Sequence, residues 1–379
     1  MNHVVVALDS FKGSLSARRA TAAVARGLRR HASALVVHEH PVADGGDGTL
    51  DALATAGFTS VPVTSTDPLG RPVEACYASR DGVAVVELAA ASGLGLVADV
   101  PLTPQRAAAA STYGTGQVIA AALDAGHRTV VVGLGGSATT DGGSGLLAAL
   151  GVRLFDADGS EVDATTSPLN AVRAVDLAGL HPSLTGPGRV ELVVASDVDN
   201  PLLGAHGAAA VYGPQKGADA AMVADLDAAL TRWADLLHAA TGVDAASSPG
   251  AGAAGGTGFA LFTLGAQARR GIDLVLELTG LAQRLTGAQL VVTGEGRLDH
   301  QTLRGKAPAG VAAAARQAGA TVVAAAGSCA LDLHELAAAG FARAFTLTDL
   351  EPDTARCHDQ AEPLLERLGE DIAATLPTP

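Results

Sequence analysis

Lysine is nearly missing from this sequence: three occur in 379 residues, against 22 arginines. Basic residues as a whole are outnumbered, and the formal charge of −14 excludes a nucleic-acid surface, which needs clustered Lys and Arg to neutralise phosphates. Only three cysteines are present, Cys76, Cys329 and Cys357, odd in number and far apart. That spacing excludes a disulfide framework and a cysteine metal site, and it predicts free thiols in a reducing compartment. No long apolar run exists either. The longest uncharged stretch, 245–268, holds six glycines and a proline, so it reads as a loop and short helix, and no membrane association is expected. The opening MNHVVVALDSF enters a strand at once without the basic and apolar regions of a signal peptide, which predicts a cytoplasmic protein. No Walker A motif, protein-kinase signature set or G-x-S-x-G elbow is found. His38 and His40, two apart on one strand face, read as core or surface residues.

What is there is enough apolar residue, 48%, and enough length for two domains with sizeable cores. The lysines that remain are not scattered. Lys12, Lys216 and Lys306 each adjoin a glycine, in F-K-G-S, Q-K-G-A and R-G-K-A. A compact ammonium kept where arginine is otherwise preferred suits a point contact to phosphate or an acid/base role.

In chain order, Val4–Leu8 is an apolar strand and Ser16 a cap for a helix to about Arg30, with arginines in its last turn. A second strand near 36–42 ends in A-D-G-G-D-G-T, where Asp47 can cap the helix from Leu50 or, with Asp44, hold a metal. From 59 to 88 three β-rich runs separated by D-P-L-G-R-P and R-D-G form an antiparallel meander. A hairpin is expected around D-A-D-G after Val152, and 221–240 is an amphipathic helix with Leu226, Leu230, Trp233 and Leu237 on its core face. From 290 the pattern returns to alternating strand and helix, in the style of the first 56 residues. Neither piece has strands enough for a doubly wound sheet. The expected fold class is therefore α/β with two domains. Residues 1–60 and 286–379 make a Rossmann-like parallel-sheet domain from both chain ends, and 61–285 make an inserted mixed α/β domain.

The densest chemical signal is TVVVGLGGSATTDGGSGLLAALG, 129–151, which reads strand, glycine-rich loop, helix. Its glycines let the backbone turn tightly, Ser137, Thr139 and Thr140 add hydroxyls, and a helix from Ser144 adds unpaired N–H groups. Such a concavity suits a phosphate, although an ordinary βα turn also uses glycine. Acidic residues follow apolar strands at Asp9, Asp44, Asp197, Asp199, Glu295 and Asp299, where open α/β sheets place their ligands. The D-V-D-N of 197–200 is a seat for magnesium, which needs one or two carboxylates, or simply a turn before Pro201.

Taken together these loops resemble the bacterial glycerate kinase family of type I. The motifs are D-S-F-K-G-S-L-S from Asp9, P-V-A-D-G-G-D-G-T from Pro41, G-L-G-G-S-A-T-T-D-G-G from Gly133, S-D-V-D-N-P-L-L-G from Ser196, V-Y-G-P-Q-K-G from Val211, and T-G-E-G-R-L-D from Thr293 with G-K at Gly305. They run in family order over nearly the whole chain; Asp47 stands where glutamate is expected. The resemblance implies an ATP- and Mg2+-dependent kinase acting on D-glycerate, yielding 2-phosphoglycerate in preference to 3-phosphoglycerate, with a cleft between the two domains. By that resemblance Gly135, Gly136, Ser137, Thr139 and Thr140 bind phosphate. Asp197 and Asp199 hold metal, Asp197 also accepting a proton. Lys12, Lys216 and Lys306 serve phosphates or the glycerate carboxylate. Ser10, Ser14, Asp44, Asn200, Glu295 and Asp299 contact substrate. It leaves oligomeric state open.

Two other readings compete. A dinucleotide-dependent dehydrogenase would use Gly133, Gly135 and Ala138 as G-x-G-x-x-A with Asp156 as its ribose acid, but 139–143 are poor helix formers where that fold starts its helix. A non-catalytic sugar-acid binding protein fits two domains and not the lysine and aspartate placement.

Overall fold

The computed structural model describes residues 3–46, 48–166 and 169–376. Its contacts divide the chain into two units, one of Met1–Asp44, Asp51–Gly57 and Ile272–Pro379, the other of Gly45–Leu50 and Phe58–Gly271.

The first unit is built on a five-stranded parallel sheet in the order Arg343–Thr346, Thr321–Ala326, Leu290–Gly294, His3–Leu8, Val36–Glu39. Val4–Leu8 and Val291–Val292 are essentially without exposure, as strands covered on both faces must be. One face is covered by helices Ala17–His31 and Ala361–Ala374, with Val24, Leu28, Leu365 and Leu368 in the core, and the other by Ala307–Gln317 with Val311, Ala312 and Ala315. Ser16 caps the first helix by accepting from Arg19 N–H at 3.4 Å. The arginines of that helix do more than face its dipole. Arg19, Arg26 and Arg30 pair with Glu362, Glu366 and Glu370 along the helix Ala361–Ala374. The two helices approach closely because a Cβ on Gly27 would lie 1.9 Å from Glu366 O, and one on Gly369 2.3 Å from Val24 O.

The second unit carries a six-stranded mixed sheet in the order Gln267–Arg269, Glu191–Ala195, Thr129–Gly133, Val83–Glu87, Pro72–Arg80, Thr59–Thr66. The last three form the antiparallel meander read from the sequence, and from Val83–Glu87 onward neighbours are parallel. Helix Ala220–Thr241 buries Leu226, Leu230, Trp233 and Leu237 as its spacing predicts. The hairpin expected at D-A-D-G is present but short, with Asp156 N–H donating to Ser160 O at 2.9 Å, Val162 N–H to Leu154 O at 2.8 Å and a bridge from Phe155 to Glu161, while Arg153–Phe155 pairs along its length with Ala174–Asp176. Gln267–Arg269 is a strand that its three-residue sequence gave no sign of. Cys76, Cys329 and Cys357 are free, and among the described residues no helix is long and apolar enough to cross a membrane.

Candidate functional site

The glycine-rich loop leaves Thr129–Gly133 and enters the short helix Ser144–Ala149. Neighbouring chain holds it on both sides. Leu94 N–H donates to Gly136 O and Ala138 N–H to Ser92 O, Gly142 N–H donates to Gly255 O, and Trp233 Nε1 donates to Gly142 O, each at 2.9 Å. Gly142 and Gly143 have φ of 61° and 72°, and a Cβ there would strike Trp233 at 2.5 Å and Ala260 at 2.4 Å. Packing this tight admits only glycine.

The unpaired N–H groups expected at the helix start are already used. Asp141, fully buried, accepts from Thr112 N–H and Oγ1 at 2.8 and 2.7 Å and from Gly143 and Gly145 N–H at 3.2 Å each; Thr112 Oγ1 in turn accepts from Leu146 N–H at 2.9 Å. Burial pushes the Asp141 carboxyl up while these donors pull it down, and the first effect wins. Beneath the loop lies Lys216, 1% exposed, whose Nζ donates to Thr139 O at 2.5 Å. Burial lowers its ammonium to about 7, with Asp141 opposing. Thr139 and Thr140 are buried with hydroxyls that have no hydrogen-bond partner among the described residues. Gly135, Gly136 and Ser137 form the accessible rim.

Glu191–Ala195 pairs in parallel with Thr129–Gly133, so the loop bearing Asp197, Asp199 and Asn200 leaves the same sheet edge. Asp197 and Asp199 are exposed, and Asp197 accepts from Gly271 N–H at 3.2 Å. Asn200 is committed to its own loop, donating to His206 O at 2.8 Å and accepting from Tyr212 OH at 2.6 Å. Paired carboxylates at an exposed strand end are the hard oxygen donors magnesium takes, and it completes its shell with water and phosphate oxygens. The donor set therefore fits, although among the described residues no three His, Cys, Asp or Glu side chains gather as a metal site. Asp47 lies outside the described residues.

In the parallel-sheet unit, Ser10, Lys12, Ser14, Glu295, Asp299 and Lys306 all line one cavity of about 380 Å³. Asp9, at the end of His3–Leu8, is 5% exposed and accepts from Ser10 N–H at 2.6 Å. Burial, then repulsion from Asp44 and Glu295, raises it to about 7. Glu295 accepts from Thr302 Oγ1 at 2.6 Å and lies 3.6 Å from Lys306 Nζ; burial still holds it above the ordinary glutamate range. Asp299 lies below its ordinary range because Gln301 N–H donates to it at 2.8 Å. Ser14 donates to His358 O at 2.5 Å, so its hydroxyl proton ties the loop to the helix Thr354–Asp359.

The candidate residues thus fall into two groups, one in each unit. Sequence reasoning passed over Asp141, although it sits inside T-T-D-G-G, and it counted Asp9 among the strand-end acids without assigning it a contact. It had no signal for Ser328, Thr348, Thr354 and His358, which line the cavity from segments outside every motif. Asp156, the acid a dehydrogenase would need, closes its own turn by accepting from Asp158 and Ser160 N–H at 2.9 Å each, just after Arg153–Phe155, a strand outside the sheet of Thr129–Gly133.

Comparison with known proteins places the chain beside glycerate kinases along nearly its whole length. The model of the glycerate kinase family matches residues 4–377. A glycerate kinase of Bacillus subtilis (strain 168) is 43% identical over 98% of this chain and 97% of its own length. A glycerate 2-kinase of Escherichia coli (strain K12) is 39% identical over 98% and 97%. A crystal structure from Salmonella typhimurium LT2, provisionally assigned as glycerate kinase 2, superposes with a TM-score of 0.83 at 40% identity, covering 99% of this chain and 98% of that one.

Proposed function

The chain belongs to the glycerate kinase family, and from that premise we propose that it transfers the terminal phosphoryl group of ATP to D-glycerate, giving ADP and 2-phosphoglycerate. The observation that carries this reading is the clustering of two of this chain's three lysines with strand-end carboxylates at one cavity, where Lys12 and Lys306 meet Glu295 and Asp299. Phosphoryl transfer asks little covalent chemistry of a protein; it asks for positioning and for neutralisation of charge.

The rim of Gly135, Gly136 and Ser137 offers backbone N–H groups and a hydroxyl to phosphate oxygens. Thr139, Thr140 and Lys216 lie behind that rim, where the ammonium fixes the loop and adds positive charge below it. Asp197 and Asp199 would hold magnesium; charge neutralisation on the phosphate oxygens is what the ion supplies there when bound. Asp197 would also take the proton of the attacking hydroxyl. Lys12 and Lys306 answer anionic groups, either the glycerate carboxylate or the transferring phosphates. Asp44, Glu295 and Asp299 accept from hydroxyls, whereas Ser14 and Asn200 shape their loops.

The test is ADP release from ATP and magnesium with and without D-glycerate, with a product assay that separates 2- from 3-phosphoglycerate. Glycerate-dependent release of ADP with 2-phosphoglycerate is expected; release that ignores glycerate overturns the reading. Asp197→Ala should lower kcat by about 100-fold or more with little change in thermal midpoint, since the side chain is exposed. Turnover within about twofold of wild type removes Asp197 from the site.

A further inference from the structure

We propose that the cavity at the carboxyl edge of the five-stranded sheet seats the nucleoside of the phosphoryl donor. The inference rests on the ATP-dependent reading above and assigns a place to the part of ATP that no motif accounts for.

Position is the first argument. The chain runs from His3–Leu8 outward to Val36–Glu39, then crosses to Leu290–Gly294 on the other side. Helices after these strands cover opposite faces, so a crevice opens where the order reverses, and open α/β sheets bind ligands there. The cavity lining follows from that edge: 10–14 come after the first strand, 295–299 after Leu290–Gly294, Gly327 and Ser328 after Thr321–Ala326, and Leu347 and Thr348 after Arg343–Thr346.

Size is the second. At about 380 Å³ the cavity falls in the range of roughly 300–1,000 Å³ that takes drug-sized ligands. A water claims about 30 Å³, so the space equals about a dozen waters and a three-carbon acid would leave most of it wet.

Chemistry is the third. Phe11, Leu347, Cys357 and Ala361 give the cavity an apolar side that D-glycerate, polar all round, has no surface to match. A base and the carbon frame of a ribose do. Asp299, ionised and lining the same space, accepts from ribose hydroxyls, while Lys12 and Lys306 stand where the phosphate chain departs.

Two bulky substitutions on different elements test the assignment. Thr354→Trp places an indole in the cavity from the exposed first residue of helix Thr354–Asp359, and Thr348→Trp does so from the short helix Leu347–Leu350. Calorimetric titration with ADP should show Kd raised at least about tenfold in both, KM for ATP should rise with it, and KM for D-glycerate should stay within about twofold, at an unchanged thermal midpoint. A raised KM for D-glycerate with unchanged ADP binding overturns the proposal in favour of the acid. Unchanged values for both substrates overturn it outright. If ADP binding falls in the variants while the wild-type protein shows no glycerate-dependent ADP release, the nucleoside seat stands and the kinase reading fails.

Discussion

Asp9 holds its proton near neutrality because burial strips the charged form of its solvation and two other carboxylates repel it. Its folded-state value of about 7 lies above the ordinary 3.8, so between those values the unfolded chain is ionised and the folded one is not. Stability is therefore lost as pH rises through that window, by up to about 4 kcal/mol. Asp9→Asn should be more stable than wild type at pH 8 and match it near pH 4 in urea titrations; an equal gap at both pH values would sink the account. His40 runs the other way. Burial lowers it to about 4, and its Nε2 bonds Thr279 Oγ1 at 2.9 Å. Above the ordinary 6.5 both states are neutral; as pH falls toward 4 only the unfolded state gains the proton, which removes up to about 3 kcal/mol. His40→Leu should flatten that acid limb, read by thermal midpoints from pH 7 to 4. At this scale rarity was the legible signal, and it singled out Lys12, Lys216 and Lys306. It said nothing of surroundings, and the three prove exposed, buried and half-buried. Burial is set by partners distant in sequence, such as Thr139 over Lys216.

Helices and strands whose pattern is their own were legible, and those defined by a neighbour were not. The β-branched runs of Thr129–Gly133 and Leu290–Gly294 need only their composition to be read. Gln267–Arg269 has no apolar pattern and is a strand because Val193–Ala195 pairs with it. Gly27 makes the contrast testable. Helix propensity says Gly27→Ala should stabilise Ala17–His31 by about 1 kcal/mol. The closeness of Glu366 O says the opposite, because the helix Ala361–Ala374 must move away. We expect a loss of about 2 kcal/mol or more in chemical denaturation. Gly143→Ala meets both a left-handed backbone and Ala260, and should cost about 1–3 kcal/mol while disordering the rim of Gly135, Gly136 and Ser137. A stabilised variant at either position would refute the packing argument.

On the scale of the whole molecule, strand counting alone pointed to one sheet made from both parts of the sequence, because neither part could cover itself. What it could not see is that Gly45–Leu50 packs with the mixed-sheet unit, where a Cβ on Gly45 would sit 2.7 Å from Gly271 Cα. Backbone approaches of that kind leave no periodic trace. The five-stranded sheet also imposes an order in time. His3–Leu8 has Leu290–Gly294 on one side, and helix Ala17–His31 is closed by residues 361–374. A ribosome adding about 5–20 residues per second leaves that first strand and helix waiting on the order of tens of seconds for their partners. Meanwhile Phe58–Gly271 has all its strands in hand and can fold on the emerging chain. A fragment ending at 285 should accordingly resist protease across 58–271 and be cut within 3–57, whereas the full chain resists in both. The earliest residues made are the last to be secured, and a cell producing this enzyme must shelter an apolar strand until translation is nearly done.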